Sequence, residues 1–323
     1  MKKWETALTK RLNIQFPIVL APMARISGGK LAAAVSEAGG VGIVGGGYGD
    51  EKSLSIELEI VANGTNHPWG VGFITWSLSL KSFLLDIALE YDPHILFLSF
   101  GDIRPFASKI KKAGKLLVCQ VQNIDDALIA RDEGADFIVA QGMEAGGHST
   151  NDQGTFCIVP SIVDAVAPTP VLAAGGVCDG RGLAAALMLG ADGVVMGSRF
   201  YASVESSGDT EAKSRMIRGK GSDTIRTPTF DIARGLNWPA PYNARALKNE
   251  FTECWHSRVE EMQLQLNEVQ VLYQNAQTTN DFNTAAVFAG QGIDRIHSIQ
   301  NAKEAVDNVI LEAKSILDKK FWS

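Results

Sequence analysis

The sequence predicts an α/β chain folded as a closed (β/α)8 barrel, with a mainly helical insertion after its eighth strand. Three observations carry this. Short, nearly continuous apolar runs recur eight times, helical patterns separate them, and glycine and polar residues gather at the C-terminal ends of the runs. With 323 residues, 46% of them hydrophobic and 20% charged, the chain can bury a large core and has the length of a barrel carrying an insertion.

The strands are expected at PIVLAPM (17–23), GVGIVGG (40–46), WGVGFITW (69–76), HILFLSF (94–100), KLLVCQV (115–121), DFIVAQG (136–142), TPVLAAGG (169–176) and DGVVMGSRF (192–200). Unbroken runs of Val, Ile, Leu and Phe are what parallel strands covered on both faces require. Between them, Gly29–Ala38, Ser79–Tyr91 and Ile124–Glu133 repeat apolar residues every three or four positions, as helices with one buried face do. The connectors EAGG (37–40) and DEGAD (132–136) place glycine where a helix ends before a strand. Eight units favour a closed barrel over an open doubly wound sheet. Residues 201–285 show no convincing strand pair: 218–243 reads as a Gly- and Pro-rich loop and Asn249–Gln274 as a strongly helical run. The chain then returns through AAVFAGQGID (285–294) to a final amphipathic helix, Ile299–Lys319. The expected division is a barrel of 1–205 and 286–323 and an insertion of 206–285.

A net charge of −6 argues against a nucleic-acid partner, which would require a basic face. Cys119, Cys157, Cys178 and Cys254 are far apart and lack metal-ligand spacing, so they read as reduced core thiols and no metal is expected. The N-terminus has no apolar leader core, and no 18-residue apolar stretch occurs. A cytoplasmic enzyme without a membrane span is the expectation; oligomeric state is not readable.

The most informative segment is IVAQGMEAGGHST (138–150), a strand running into a glycine-rich turn that presents His148. Glycine allows a flat ligand to lie against backbone while an imidazole, which titrates near neutral pH, reaches its reacting carbon. Gly175–Gly176 follows the seventh strand and Gly197–Ser198 the eighth. Either turn alone suits a plain βα connection, but the two in this order match the place where barrels hold a phosphate on backbone N–H groups. No GxGxxG follows the first strand and no GxxxxGK[ST] occurs, so a mononucleotide cofactor or a sugar phosphate fits better than a dinucleotide. Gly45–Gly46–Gly47, Gly72 and Gly146–Gly147 are expected to open a flat slot, with Ala21–Pro22–Met23 as its apolar floor. His67, His94, His256 and His297 read as structural or solvated, Trp76 as packing or a cover for the pocket, and Glu144 as a supporting or solvated carboxylate.

These segments together resemble the FMN-dependent nitronate monooxygenases, formerly called 2-nitropropane dioxygenases. The likeness lies in PIVLAPMA, GGVGIVGGG, VGFITW, GADFIVAQGMEAGGH, PVLAAGGVCDGRGLAAALMLGADGVVMGSRF and FAGQG, and it spans almost the whole chain. It implies a TIM-barrel flavoprotein with FMN at the C-terminal face of the strands. Ala21, Pro22 and Met23 would line the flavin, Gly72 and Gln120 lie beside the ring, and Gln141 reach its polar edge. Gly146 and Gly147 would continue that wall, Gly175, Gly176, Gly197 and Ser198 hold the phosphate, and His148 act as base. Many relatives carry Asn at the position of Gly72 and some carry Lys at that of Gln120. The segment TIRTPTFDIARG (224–235), with Arg226 and Arg234, looks like a variant lid. The implied reaction is oxidation of alkyl nitronates, and of nitroalkanes in some members, by O2 to a carbonyl compound and nitrite. Two alternatives share the same cradle: an NAD(P)H-dependent flavin enoyl reductase, and an FMN- or phosphate-binding barrel without catalysis.

Overall fold

The computed structural model describes residues 4–319. Eight parallel strands form the main sheet: β1 (Ile18–Leu20), β2 (Gly42–Gly45), β3 (Trp69–Ile74), β4 (Ile95–Ser99), β5 (Leu116–Val121), β6 (Phe137–Gln141), β8 (Val171–Ala174) and β9 (Val194–Met196). From β3 onward each pairs with its predecessor in this series, and β9 pairs with β1. Leu20 N donates to Val41 O and Val41 N to Ile18 O, both at 2.9 Å, which ties β1 to the start of β2 and closes the barrel.

Alternation along the strands sorts the side chains into two layers. Val19, Ile95, Phe97, Val118, Phe137, Val139, Leu172 and Val195 share the barrel interior with Leu8 and Leu12 from helix Ala7–Leu12, which plugs the N-terminal end. Ile18, Leu20, Leu96, Leu98, Ile138 and Val194 belong to the outer layer beneath the helices. Helix Ala302–Leu317 ends the described chain against helix Gly180–Met188, so closely that a Cβ on Gly180 would stand 2.3 Å from Ala313 N.

The segment after β9 departs from the expectation in one respect. Besides helices Thr210–Arg218, Thr229–Ala233, Glu250–Trp255, Val259–Leu264 and Leu266–Thr279, it holds an antiparallel pair, β10 (Thr224–Thr227) and β11 (Asn243–Leu247). TIRT and NARAL are short, and each carries an arginine, so neither produces an apolar run or a clean alternation. A further strand, β7 (Gly147–Ser149), leaves the barrel loop after β6 and pairs with β11, placing His148 opposite Ala244. The run 249–274 is three helices, interrupted at 256–258 and at Gln265.

Cys119 and Cys178 are buried thiols, but Cys157 is exposed and Cys254 only partly covered, which corrects the expectation of four core cysteines. Cys157 lies on the exposed side of helix Thr155–Val166. Among the described residues, no helix is long and apolar enough to cross a membrane.

Candidate active site

A cleft lies over the C-terminal ends of the barrel strands. Its walls include Ala21, Pro22, Met23, Gln120, Gln141, Gly146, Gly147, His148, Gly175, Gly176, Gly197 and Ser198, residues singled out from five separate stretches of sequence. Gly72 is the exception. A Cβ there would stand 2.2 Å from Pro22 Cβ, so this glycine lets β3 pass beneath the floor and does not reach the cleft. Gly45 and Gly46 likewise pack against Met23 O and the Phe73 ring and do not open a slot.

One end of the cleft is almost entirely backbone. Gly175 and Gly176 both adopt positive φ, 102° and 72°, which turns the chain sharply after β8 and favours glycine at both places. Gly290 and Gly292 complete that end: Gly290 N donates to Ser198 Oγ at 2.9 Å, and a Cβ on Gly292 would lie 2.3 Å from Gly176 O. Ala21–Pro22–Met23 forms an apolar floor, with Met23 N held by Ser27 Oγ at 2.7 Å. On another side stand three amides. Gln122 Nε2 and Gln120 Nε2 both donate to Gln141 Oε1, at 2.7 and 3.2 Å, while Gln141 Nε2 donates to His148 O at 3.2 Å. An apolar floor, an amide edge and a glycine cradle suit a planar heterocycle with a phosphate tail.

His148 is 9% exposed, and its Nε2 lies 2.8 Å from Asp231 Oδ2. As a carboxylate Asp231 only accepts, so Nε2 carries the hydrogen and Nδ1 keeps its lone pair. Burial pulls the His148 pKa below that of an ordinary imidazole, outweighing the opposing hydrogen bond and charge of Asp231. The pair is therefore a neutral imidazole hydrogen-bonded to a carboxylate, not an ion pair, at neutral pH. Asp231 sits on helix Thr229–Ala233, and its other oxygen meets Arg234 Nη1 at 3.4 Å.

Aromatic rings surround this pair. The Trp238 ring lies flat on His148, with centroids 3.4 Å apart and planes 7° from parallel. Phe100 meets both edge-on, and Trp238 Nε1 donates to Tyr48 OH at 3.2 Å. Burial raises the Tyr48 pKa, leaving the phenol protonated. Trp76 stands behind Trp238 at 5.5 Å and is not on the cleft wall.

The turn bearing His148 is held from the insertion by Arg226, whose guanidinium donates to Gly147 O, Ser149 O, Met143 O, Ala145 O and Asn243 O. Burial lowers its pKa to about 10, so it stays charged at neutral pH. Glu144 accepts from Thr155 N and Oγ1 and supports the turn from outside the cleft. The other four histidines do not line the cleft. Asp231, Trp238 and Tyr48 carry no mark of a site residue in the sequence, and Arg234 enters it only as part of the variant lid segment 224–235.

The chain matches the family described as nitronate monooxygenase over residues 5–81 and 80–312. A probable nitronate monooxygenase of Staphylococcus haemolyticus is 30% identical over 97% of this chain and 98% of its own length. Among solved structures, FabK from Thermotoga maritima superposes with a TM-score of 0.86 at 30% identity, covering 97% of both chains. A nitroalkane oxidase from Streptomyces ansochromogenes gives 0.80 at 26% identity over 96% of this chain and 98% of its own. The protein is thus a barrel oxidoreductase of the flavin-dependent kind, and it belongs to the nitronate monooxygenase family.

Proposed function

We propose that the protein oxidises alkyl nitronates with O2, yielding a carbonyl compound and nitrite, with FMN bound in the cleft. The observation that carries this is the His148–Asp231 hydrogen bond, 2.8 Å long, beside a cleft whose wall carries His148, Gly175, Gly176, Gly197 and Ser198. Gly175, Gly176, Gly197 and Ser198 would hold that phosphate through backbone N–H groups and a hydroxyl. Ala21, Pro22 and Met23 would lie against the ring, and Gln120, Gln141, Gly146 and Gly147 along its edges. When bound, the flavin supplies the electron transfer that an amino-acid side chain cannot.

The chain's own residues prepare the substrate. His148 Nδ1, unprotonated at neutral pH, accepts the α-proton of a neutral nitroalkane, and Asp231 then stabilises the imidazolium. A preformed nitronate needs no such step and depends on the same residues for orientation only. Trp238, Phe100 and Phe288 exclude water from the reacting carbon. In this reading 206–285 form a lid over a barrel of 1–205 and 286–323, and β7 is the barrel's contribution to the lid sheet.

The enoyl reductase alternative shares the cradle, and the likeness to FabK keeps it worth testing. Anaerobic mixing of the yellow holoprotein separates the two. Bleaching by propyl-2-nitronate, but not by NADH or NADPH, is expected. Bleaching by a nicotinamide alone overturns the proposal.

A further inference from the structure

Among the described residues, Arg234 is the one of fixed positive charge on the cleft wall. Its side chain is 15% exposed. It meets Asp231 Oδ1 at 3.4 Å, a long contact for charged partners. Its guanidinium carbon lies 5.1 Å from the Tyr48 ring centroid and 5.7 Å from that of Phe288. Asp231 already serves His148 through its second oxygen. The group is therefore a half-neutralised cation walled by rings, beside the imidazole that would act on substrate.

We infer that Arg234 is the anion-recognition residue of this site, and that the substrates it selects are nitronates with a single negative charge and an apolar substituent. This rests on the function proposed above. The guanidinium fork matches a planar, two-oxygen anion, and a nitronate has that shape. Tyr48, Phe100, Trp238 and Phe288 offer the remainder of the substrate aromatic faces and no second cation. A substrate with an added carboxylate would place that charge among rings and near Asp231, where desolvation and like-charge repulsion both oppose it.

The test compares propyl-2-nitronate with the nitronate of 3-nitropropionate, which bears a second anion, in wild type, Arg234→Met and Arg234→Lys. Binding of the unreactive planar anion 3-methylbut-2-enoate is followed in parallel by perturbation of the flavin spectrum and by calorimetry. Wild type should favour propyl-2-nitronate in kcat/KM by about tenfold or more, because only the second anion meets the desolvation and like-charge penalty. Arg234→Met should raise KM for propyl-2-nitronate and Kd for 3-methylbut-2-enoate by about the same factor, with kcat falling less. Arg234→Lys should recover part of both. Unchanged KM and Kd in a folded, flavin-loaded Arg234→Met protein overturn the inference, as does a wild-type preference for the doubly charged substrate. If no nitronate is turned over while NADH bleaches the flavin, the proposed function fails by itself. The anion titration then still reports on Arg234: a Kd unmoved by Arg234→Met rejects its role, and a weakened one supports it.

Discussion

The two nitrogens of His148 have separable roles, and substitutions can address each. His148→Asn retains a side chain of similar reach but has no basic nitrogen, so turnover of neutral nitroalkanes should fall by about 10²–10⁴, the usual contribution of a general base. Preformed nitronates have already lost that proton and should keep part of their activity with FMN still bound. Wild-type rates on both forms would make His148 a bystander. Asp231 acts on the opposite nitrogen. Because its hydrogen bond and charge raise the His148 pKa against the larger effect of burial, Asp231→Asn should lower that pKa further. The base is the neutral imidazole, so the acid limb of kcat/KM in wild type should lie below the ordinary value of 6.5, and the variant's limb should lie lower still. A limb that moves upward in Asp231→Asn would show that the carboxylate does not support the imidazolium. The rate should drop as well, since an amide can present either its oxygen or its NH2 and no longer fixes the tautomer.

Turns decide the cofactor end of the site, and one substitution there separates charge from strain. Gly176 has φ 72°, and a Cβ on it would touch Glu144 Cβ at 3.4 Å, so Gly176→Ala should cost mainly backbone strain. Gly176→Asp adds an anion where a phosphate dianion is proposed to sit, a cost on the order of several kcal/mol in a partly desolvated site. Flavin content should collapse in the aspartate variant and survive largely in the alanine one. Equal occupancy in both would mean the turn is only structural. This turn was legible in the sequence because its position after the seventh barrel strand follows from the strand pattern. The barrel strands were legible for the same reason that they are stable: burial on both faces leaves unbroken apolar runs such as ILFLS and FIVAQ. The lid sheet was not. β10 and β11 are short, carry Arg226 and Arg245, and owe their stability to partners far away in sequence. Gly72 was read as facing the ligand when it faces Pro22, because a glycine needed for close approach looks the same in sequence whichever neighbour approaches. Asp231 was missed because nothing local marks a residue 83 positions from His148 as its partner.

At the scale of the whole molecule, the cleft is where distant parts of the chain become one cooperative unit. Its wall takes Ala21–Met23 from the end of β1, Gly146–His148 from the loop after β6, Gly175–Gly176 and Gly197–Ser198 from the last two barrel turns, Arg234 and Trp238 from the segment after β9, and Phe288, Gly290 and Gly292 from the returning segment. A ligand filling the cleft would reach these segments and has no comparable site in the unfolded chain, so it should stabilise the barrel and the segment after β9 together. At a free concentration 100 times its Kd, FMN should add about 2.7 kcal/mol to the unfolding free energy. Chains somewhat shorter than this one gain roughly 2–4 °C in Tm per kcal/mol, so stripped protein titrated with FMN should melt several degrees higher in a calorimeter. Riboflavin, which lacks the phosphate, should give a much smaller shift at equal concentration, and FAD should do no better than riboflavin if the proposed cradle takes a single terminal phosphate. The gain should vanish in Gly176→Asp, which cannot bind the phosphate, and persist in His148→Asn, which leaves the cradle intact. A shift with FAD equal to that with FMN would reject the single-phosphate cradle. A shift with FMN confined to one of two resolved transitions would show that the lid and the barrel do not share the ligand.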